Sequence, residues 1–416
     1  VAAQDGGNGK GSGNSAAQAI GQEQDARQLA VCVSGDGTFL SCNNLNIQNQ
    51  VNEGHNVLGQ IGGNGKYSGN TAFQAIGQEQ SSTQGALVVS GEDTVFSGNN
   101  LNVQNQFNDG NNVAAQDGGN GKGSGNSAAQ GIGQSQSSNQ RSQCVAGGDV
   151  NESCNNINVQ NQFNDGNNVA AQDGGNGKGS GNSAAQGIGQ SQSSSQSSQC
   201  VAGGSIEASC NNVSFQNQEN SGSNVGLQSG GNGKGSGNSA EQGIGQSQSS
   251  SQSSQCVSGE DAIVSCNNVA FQNQVNSGNN VLAQFGLDED ESGSSSGGKY
   301  HGKNGGGGNS AEQAIEQVQS SIQSSSVVTA GSSILSGNNL NVQNQENEGD
   351  NVAAQSSGSS GGNSAEQGIA QAQANGAEES GEESGADSST EELEQSSNDN
   401  NEESGDNNEE SGDNNE

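Results

Sequence analysis

The sequence predicts an all-β chain: a repeat β-solenoid or a stacked, amyloid-like array of β-hairpins, followed by a disordered acidic C-terminal tail. Two observations carry this. The chain repeats every 56 residues, with Val1, Val57, Val113, Val169, Val225 and Val281 each opening a copy. Within a copy, apolar and amide residues alternate, as in the stretch Asn155 to Gln172, NNINVQNQFNDGNNVAAQ, close variants of which occur six times. A strict period is the mark of units stacked on one another. A period-two alternation is the mark of a strand with two unlike faces.

Composition limits what the stack is made from. Of 416 residues, 26% are hydrophobic and 2% aromatic, whereas ordinary globular domains are about 45–50% apolar. A conventional core is excluded. Glycine occurs 70 times, and Pro, Met and Trp are absent. Such chains stay disordered or build a backbone-dominated structure in which side-chain amides stack. A chain that begins at Val1 and lacks Met is expected to be processed or a fragment. No apolar run is long enough for a membrane span.

The repeats run over 1–280 as five copies, over 281–351 as a sixth with a 15-residue Gly/Ser/acidic insertion, and over 352–375 as a truncated seventh; the acidic tail, 376–416, is expected to be disordered. Net charge is −36, and the tail holds 16 of the acidic residues with no Lys or Arg. Nucleic acid is therefore excluded as a partner, since binding it needs clustered positive charge.

One unit, from Val113, reads VAAQ, the loop DGGNGKGSG, NSAAQGIGQSQSS, a segment around QCVAGGDVNESC, and NNINVQNQFNDGNN. Four short strands per unit are expected, with turns at Asn120–Gly121, Gly118, Gly147 and Asp165–Gly166 that suit positive φ or tight reversal. Fifty-six residues also divide into two halves of 28, each sized for one coil or one hairpin layer. Short helices are the alternative at the NSAxQ segments, because Ala311, Ile315, Val318 and Ile322 fall at helical spacing behind Ser310. Strand is favoured, because Gly131, Gly133 and the serine run lower helix propensity while Gln130, Gln134 and Gln136 share one strand face.

Two sets of residues are candidates for holding the stack together. The first is a double row of glutamines: Gln48 and Gln50, Gln104 and Gln106, Gln160 and Gln162, Gln216 and Gln218, Gln272 and Gln274, Gln343 and Gln345. Copies stacked about 4.8 Å apart would let each amide donate to one neighbour and accept from the other. The alternating apolar row, Ile157, Val159 and Phe163 in the third copy, is expected to form a thin dry core. The second set is eight cysteines in four pairs: Cys32 and Cys42, Cys144 and Cys154, Cys200 and Cys210, Cys256 and Cys266. Two copies have lost both members, with Val88 and Gly98, or Val327 and Gly337, in their place. Joint retention and joint loss predict disulfides, each closing a hairpin and worth about 2.5–3 kcal/mol by loop entropy. Oxidised cysteines place the chain outside the reducing cytosol.

Little points to chemistry. The loop GGNGKGSGN is not a phosphate-binding loop, because Gln116 lies five positions before Gly121 and no Ser or Thr directly follows Lys122. It resembles the calcium nonapeptide of RTX proteins, but Gly123 stands where that family has its Asp ligand. A turning surface loop with a solvated Lys is the reading kept. His55 and His301 each occur in one copy only, and Asp36, Glu92, Asp149 and Glu260 read as solvated turn residues. No enzyme activity, resident metal or cofactor is expected; the acidic tail is suited to weak binding of calcium or other cations. The sequons at Asn151 and Asn212 are the kind that arise by chance in an Asn-rich chain.

With the glutamine rows and Asn-containing turns laid out, the repeats resemble curlin-type repeats of functional amyloid subunits. Gln106, four residues and Asn111 match the first half of that motif; Asn111 reaches Gln116 after four residues instead of five. The resemblance implies a stacked β-solenoid that is secreted and assembles into extracellular fibres. The expected function is thus an extracellular structural protein that self-associates into filaments or a surface layer, with a cell-surface or matrix partner. A disordered hydrated matrix polymer and a surface adhesin are the competing readings.

Overall fold

A computed structural model describes residues 1–5, 10–11, 13–62, 66–67, 69–118, 122–123, 125–174, 179, 181–230, 237–286, 308–356 and 363–379. They lie in one compact unit, Val1–Ser380. Most of the glycine loop, the insertion with His301 and the tail from 380 onward fall outside the described residues.

The chain is a parallel β-solenoid. Each of the first six repeats contributes four described strands and the seventh two, illustrated by the third: a closing strand Asn112–Asp117, a long strand Ser127–Ala146, a two-residue corner strand Val150–Asn151 and a return strand Asn156–Asn164. Equivalent strands stack into four sheets, two of seven strands and two of six. Every pairing is parallel and in register by one repeat, as Ser127 with Ser183 and Gln160 with Gln216. This excludes the hairpin array, and it corrects the division into halves of 28: one coil takes the whole 56 residues. The NSAxQ segments are strand throughout, and Ser310–Thr329, where helical spacing was most evident, is the sixth long strand. The final long strand, Ser364–Glu379, runs past the boundary read at 375.

Why the coil closes where it does is local. After the corner strand the backbone enters the left-handed region twice, at Glu152 (φ 46°) and Cys154 (φ 55°), and the same pair recurs as Ala208 and Cys210 and as Val264 and Cys266. Left-handed residues cost about 1–2 kcal/mol each when not Gly, so this corner is held by what surrounds it. Of the two geometries expected there, positive φ is not adopted by Gly147 or Gly166. They are needed for room: a Cβ on Gly166 would collide with Gly110 O and Asn108 Nδ2 of the preceding coil.

The interior is inverted relative to expectation. In the third return strand Asn156, Asn158, Gln160 and Gln162 are buried at 0%, whereas Ile157 is 39% exposed and Val159 and Phe163 are half-buried on the outside. The expected dry core of Ile157, Val159 and Phe163 is therefore wrong; those side chains form the outer face. The apolar interior consists of three narrow columns: Ile76, Ile132, Ile188, Ile244 and Ile315; an Ala/Leu column that includes Ala128, Ala170 and Leu58; and the cystines with Val150 and Ile206.

Candidate functional site

The structural site of this chain is the amide lattice between its facing sheets. The long strand points Gln130, Gln134, Gln136 and Gln140 inward, and the return strand meets them with Asn156, Asn158, Gln160 and Gln162. A side-chain amide has two N–H donors and one carbonyl oxygen, and a buried one left unpaired costs about 1–3 kcal/mol. Stacking in register satisfies both donors. Gln160 Nε2 donates to Gln104 Oε1 at 2.9 Å and across the interior to Ser193 O at 3.1 Å. From the other side Gln136 Nε2 donates to Gln80 Oε1 at 2.9 Å and to Asn161 O at 3.0 Å.

The twelve glutamines singled out in the sequence form two such columns. Gln104 donates to Gln48, Gln216 to Gln160, Gln272 to Gln216 and Gln343 to Gln272 at 2.8–3.0 Å. Gln106 donates to Gln50, Gln162 to Gln106, Gln218 to Gln162, Gln274 to Gln218 and Gln345 to Gln274 at 3.0–3.1 Å. The alternation missed the asparagine columns and the glutamines of the long strand as partners. These asparagines run the other way: Asn100 donates to Asn156 of the following repeat at 2.8 Å, and Asn156 to Asn212 at 2.9 Å. Amide dipoles of the two column types therefore oppose one another along the axis.

One asparagine column is interrupted. Asn46 donates to Asn102 and Asn102 to Asn158, both at 2.8 Å. The next positions are Ser214 and Ala270, and Asn158 Nδ2, Ser214 Oγ and Asn341 Oδ1 are buried without a partner.

Each cysteine pair is a disulfide: Cys32–Cys42, Cys144–Cys154, Cys200–Cys210 and Cys256–Cys266. None closes a hairpin. Cys144 lies near the end of a long strand and Cys154 in the corner between the corner strand and the return strand, so the bridge ties the long sheet to that corner of the coil. In the second repeat, one of the two without the cysteine pair, a Cβ on Gly98 would lie 2.9 Å from Val88 Cγ2 and 3.0 Å from Cys154 Sγ. Val88 fills the space of the missing bridge, and Gly98 makes room for it.

Two of the residues weighed for chemistry, His55 and Asp149, belong to the stack. His55 Nδ1 accepts from Asn111 N at 2.9 Å, which is the role that Asn111 Oδ1 plays for Asn167 N one repeat on. Asp149 has fixed partners after all: its N–H donates to Asp93 Oδ1 at 2.9 Å, and its Oδ1 accepts from Ser205 N at 2.7 Å. Asn212 is buried and donates to Asn268 Oδ1, so its sequon is closed to glycosylation in the folded chain. Among the described residues no three His, Cys, Asp or Glu gather as metal ligands, and no helix is long and apolar enough to cross a membrane.

Outside, the long sheet carries an open groove of about 1030 Å³ over a glycine column that includes Gly77, Gly133, Gly189 and Gly245. The return sheet carries the apolar columns displaced from the interior. Compared with known proteins, the chain matches no protein-family model, no curated protein and no solved structure.

Proposed function

We propose that this chain is a secreted structural protein whose stacks join end to end into filaments or a surface layer, with no catalytic role. The observation that carries this is the in-register parallel stack, which any further copy can continue. Among the described residues its outermost long strands, Ser15–Ser34 and Ser364–Glu379, each pair with a neighbour along one edge, and the other edge is of the kind a further copy can pair with. Such edges template further pairing, and a head-to-tail contact that does not close a ring gives a filament. The amide columns support the same joint. Among the described residues Gln78, Gln80 and Gln84 donate to Gln22, Gln24 and Gln28 of the first repeat, and Gln371 and Gln373 donate to Gln317 and Gln319. Every column thus runs in one direction, so its donor end matches the acceptor end of another copy.

Four disulfides favour an oxidising compartment, and a polar interior with few ionisable clusters favours a scaffold over an enzyme. Electron microscopy of the oxidised chain, with and without reductant, tests the reading. Filaments with a repeat near about 4.8 Å along the axis are expected; monodisperse particles at high micromolar concentration under oxidising conditions would overturn it.

A further inference from the structure

The inversion of the return strands leaves an apolar sheet face that no other strand among the described residues covers. Leu101, Phe107, Ile157 and Phe215 are 37–42% exposed there, and Leu45 and Ile47 57–60%. The face is ordered: Phe215 stacks on Phe271 with centroids 5.0 Å apart and planes 3° from parallel. Asn105 and Asn161 of the same face donate to Asn49 and Asn105 at 2.7 and 2.8 Å, a neutral column between the apolar ones.

We infer that this face is an interface with a second copy of the chain, packed sheet against sheet about a two-fold axis. Charge argues for it. The six return strands contain only two charged residues, Glu219 and Glu346, in a chain of net charge −36. Two copies repel through most of their surface and least through this face. Area agrees. Six strands about 4.8 Å apart, each nine residues long at about 3.3 Å per residue, cover about 800 Å², the share each partner contributes to a standard stable interface. Geometry adds the third reason. Two stacks side by side share one strand spacing, so a fit of columns at one repeat is a fit at every repeat.

Lateral pairing is independent of end-to-end joining, and the test separates them. Sedimentation equilibrium and electron microscopy would be run on the full oxidised chain, on Val159→Lys with Phe215→Lys, and on a control, Ser137→Lys with Ser193→Lys, on the outer face of the long strands. The wild type is expected to be dimeric, with any filaments two stacks wide. The face variant is expected to weaken the dimer by roughly 100-fold or more and narrow the filaments to one stack, with a urea midpoint equal to the wild type's when both are diluted to monomers, while the control stays paired. Phe215→Ser with Phe271→Ser carries the same test if the lysines unfold the stack. A monomeric wild type, or a control that dissociates as readily as the face variant, overturns the inference. Single-stack filaments of the wild type do so while leaving end-to-end joining intact; dimers without filaments uphold the pairing and remove the filament reading.

Discussion

Gln160 and Gln104 are joined by a 2.9 Å hydrogen bond at 0% exposure, while Ile157, three residues from Gln160 on the same strand, is 39% exposed. Stability in this chain therefore follows amides more than apolar side chains. Gln160→Leu would leave Gln104 Oε1 without its donor and Gln216 Nε2 without one acceptor. Two orphaned groups predict a loss of about 2–4 kcal/mol. Phe163→Ser, on the outer face, should cost about 1 kcal/mol or less. Urea unfolding of dilute oxidised chain checks the order, and the opposite ranking would refute the inverted interior.

The interrupted asparagine column offers a gain. Ser214→Asn combined with Ala270→Asn would continue the line from Asn158 to Asn341, giving partners to Asn158 Nδ2 and Asn341 Oδ1, which now have none. The space is of a kind the fold already fills, since Asn46 and Asn102 sit at the same positions opposite Ser82 and Ser138. A net gain of about 1–3 kcal/mol is expected. A lower melting temperature for the double variant would mean that the gap is already satisfied or too small.

Cys154 adopts φ 55°, a conformation that an L residue holds at a cost of about 1–2 kcal/mol. The cysteine-free repeats put Gly98 (φ 71°) and Gly337 (φ 75°) there. Cys144→Val with Cys154→Gly reproduces that solution: it loses a bridge worth about 2.5–3 kcal/mol and regains the left-handed penalty. Cys144→Ser with Cys154→Ser loses the bridge, keeps the penalty and buries two hydroxyls at fully enclosed positions. The valine–glycine variant should unfold at a higher denaturant concentration than the serine pair, and equal midpoints would show that the corner carries no strain.

How far the sequence revealed this fold depends on which signal is followed. The period and the in-register glutamines at 104, 160 and 216 were legible because identical residues at one phase can pair only with their own copies. The facing of the return strand is opposite to the expected one because hydrophobicity alone puts Ile157, Val159 and Phe163 inside, whereas they lie on the outer face. Parity held the better clue. Cys144 shares its face with Gln140, Gln136, Gln134 and Gln130, and a disulfide from the long sheet to the corner of the coil must point inward, so the glutamines had to point inward with it. The outward set on that strand, Gly131, Gly133, Ser135 and Ser137, could not have filled a core. The 56-residue coil was hidden for a related reason: a 20-residue strand of Gln, Ser and Gly has too little hydrophobic contrast to stand out from two shorter ones.

Two glycines separate close approach from open surface. Gly166 lies against the preceding coil, where a Cβ would strike Gly110 O and the Asn108 side chain, whereas a Cβ on Gly133 would meet nothing within 4 Å. Gly166→Ala must push two coils apart at a backbone contact that no rotamer can relieve. It should destabilise by about 1–3 kcal/mol, as overpacking does. Gly133→Ala replaces the least favourable strand-interior residue at no steric cost and should stabilise by about 0.5–1 kcal/mol, in part by restricting the unfolded chain. Thermal unfolding of the two single variants reads both signs. A destabilising Gly133→Ala would mean that the outer glycine column is itself covered in the assembled protein, and its effect should then grow with protein concentration.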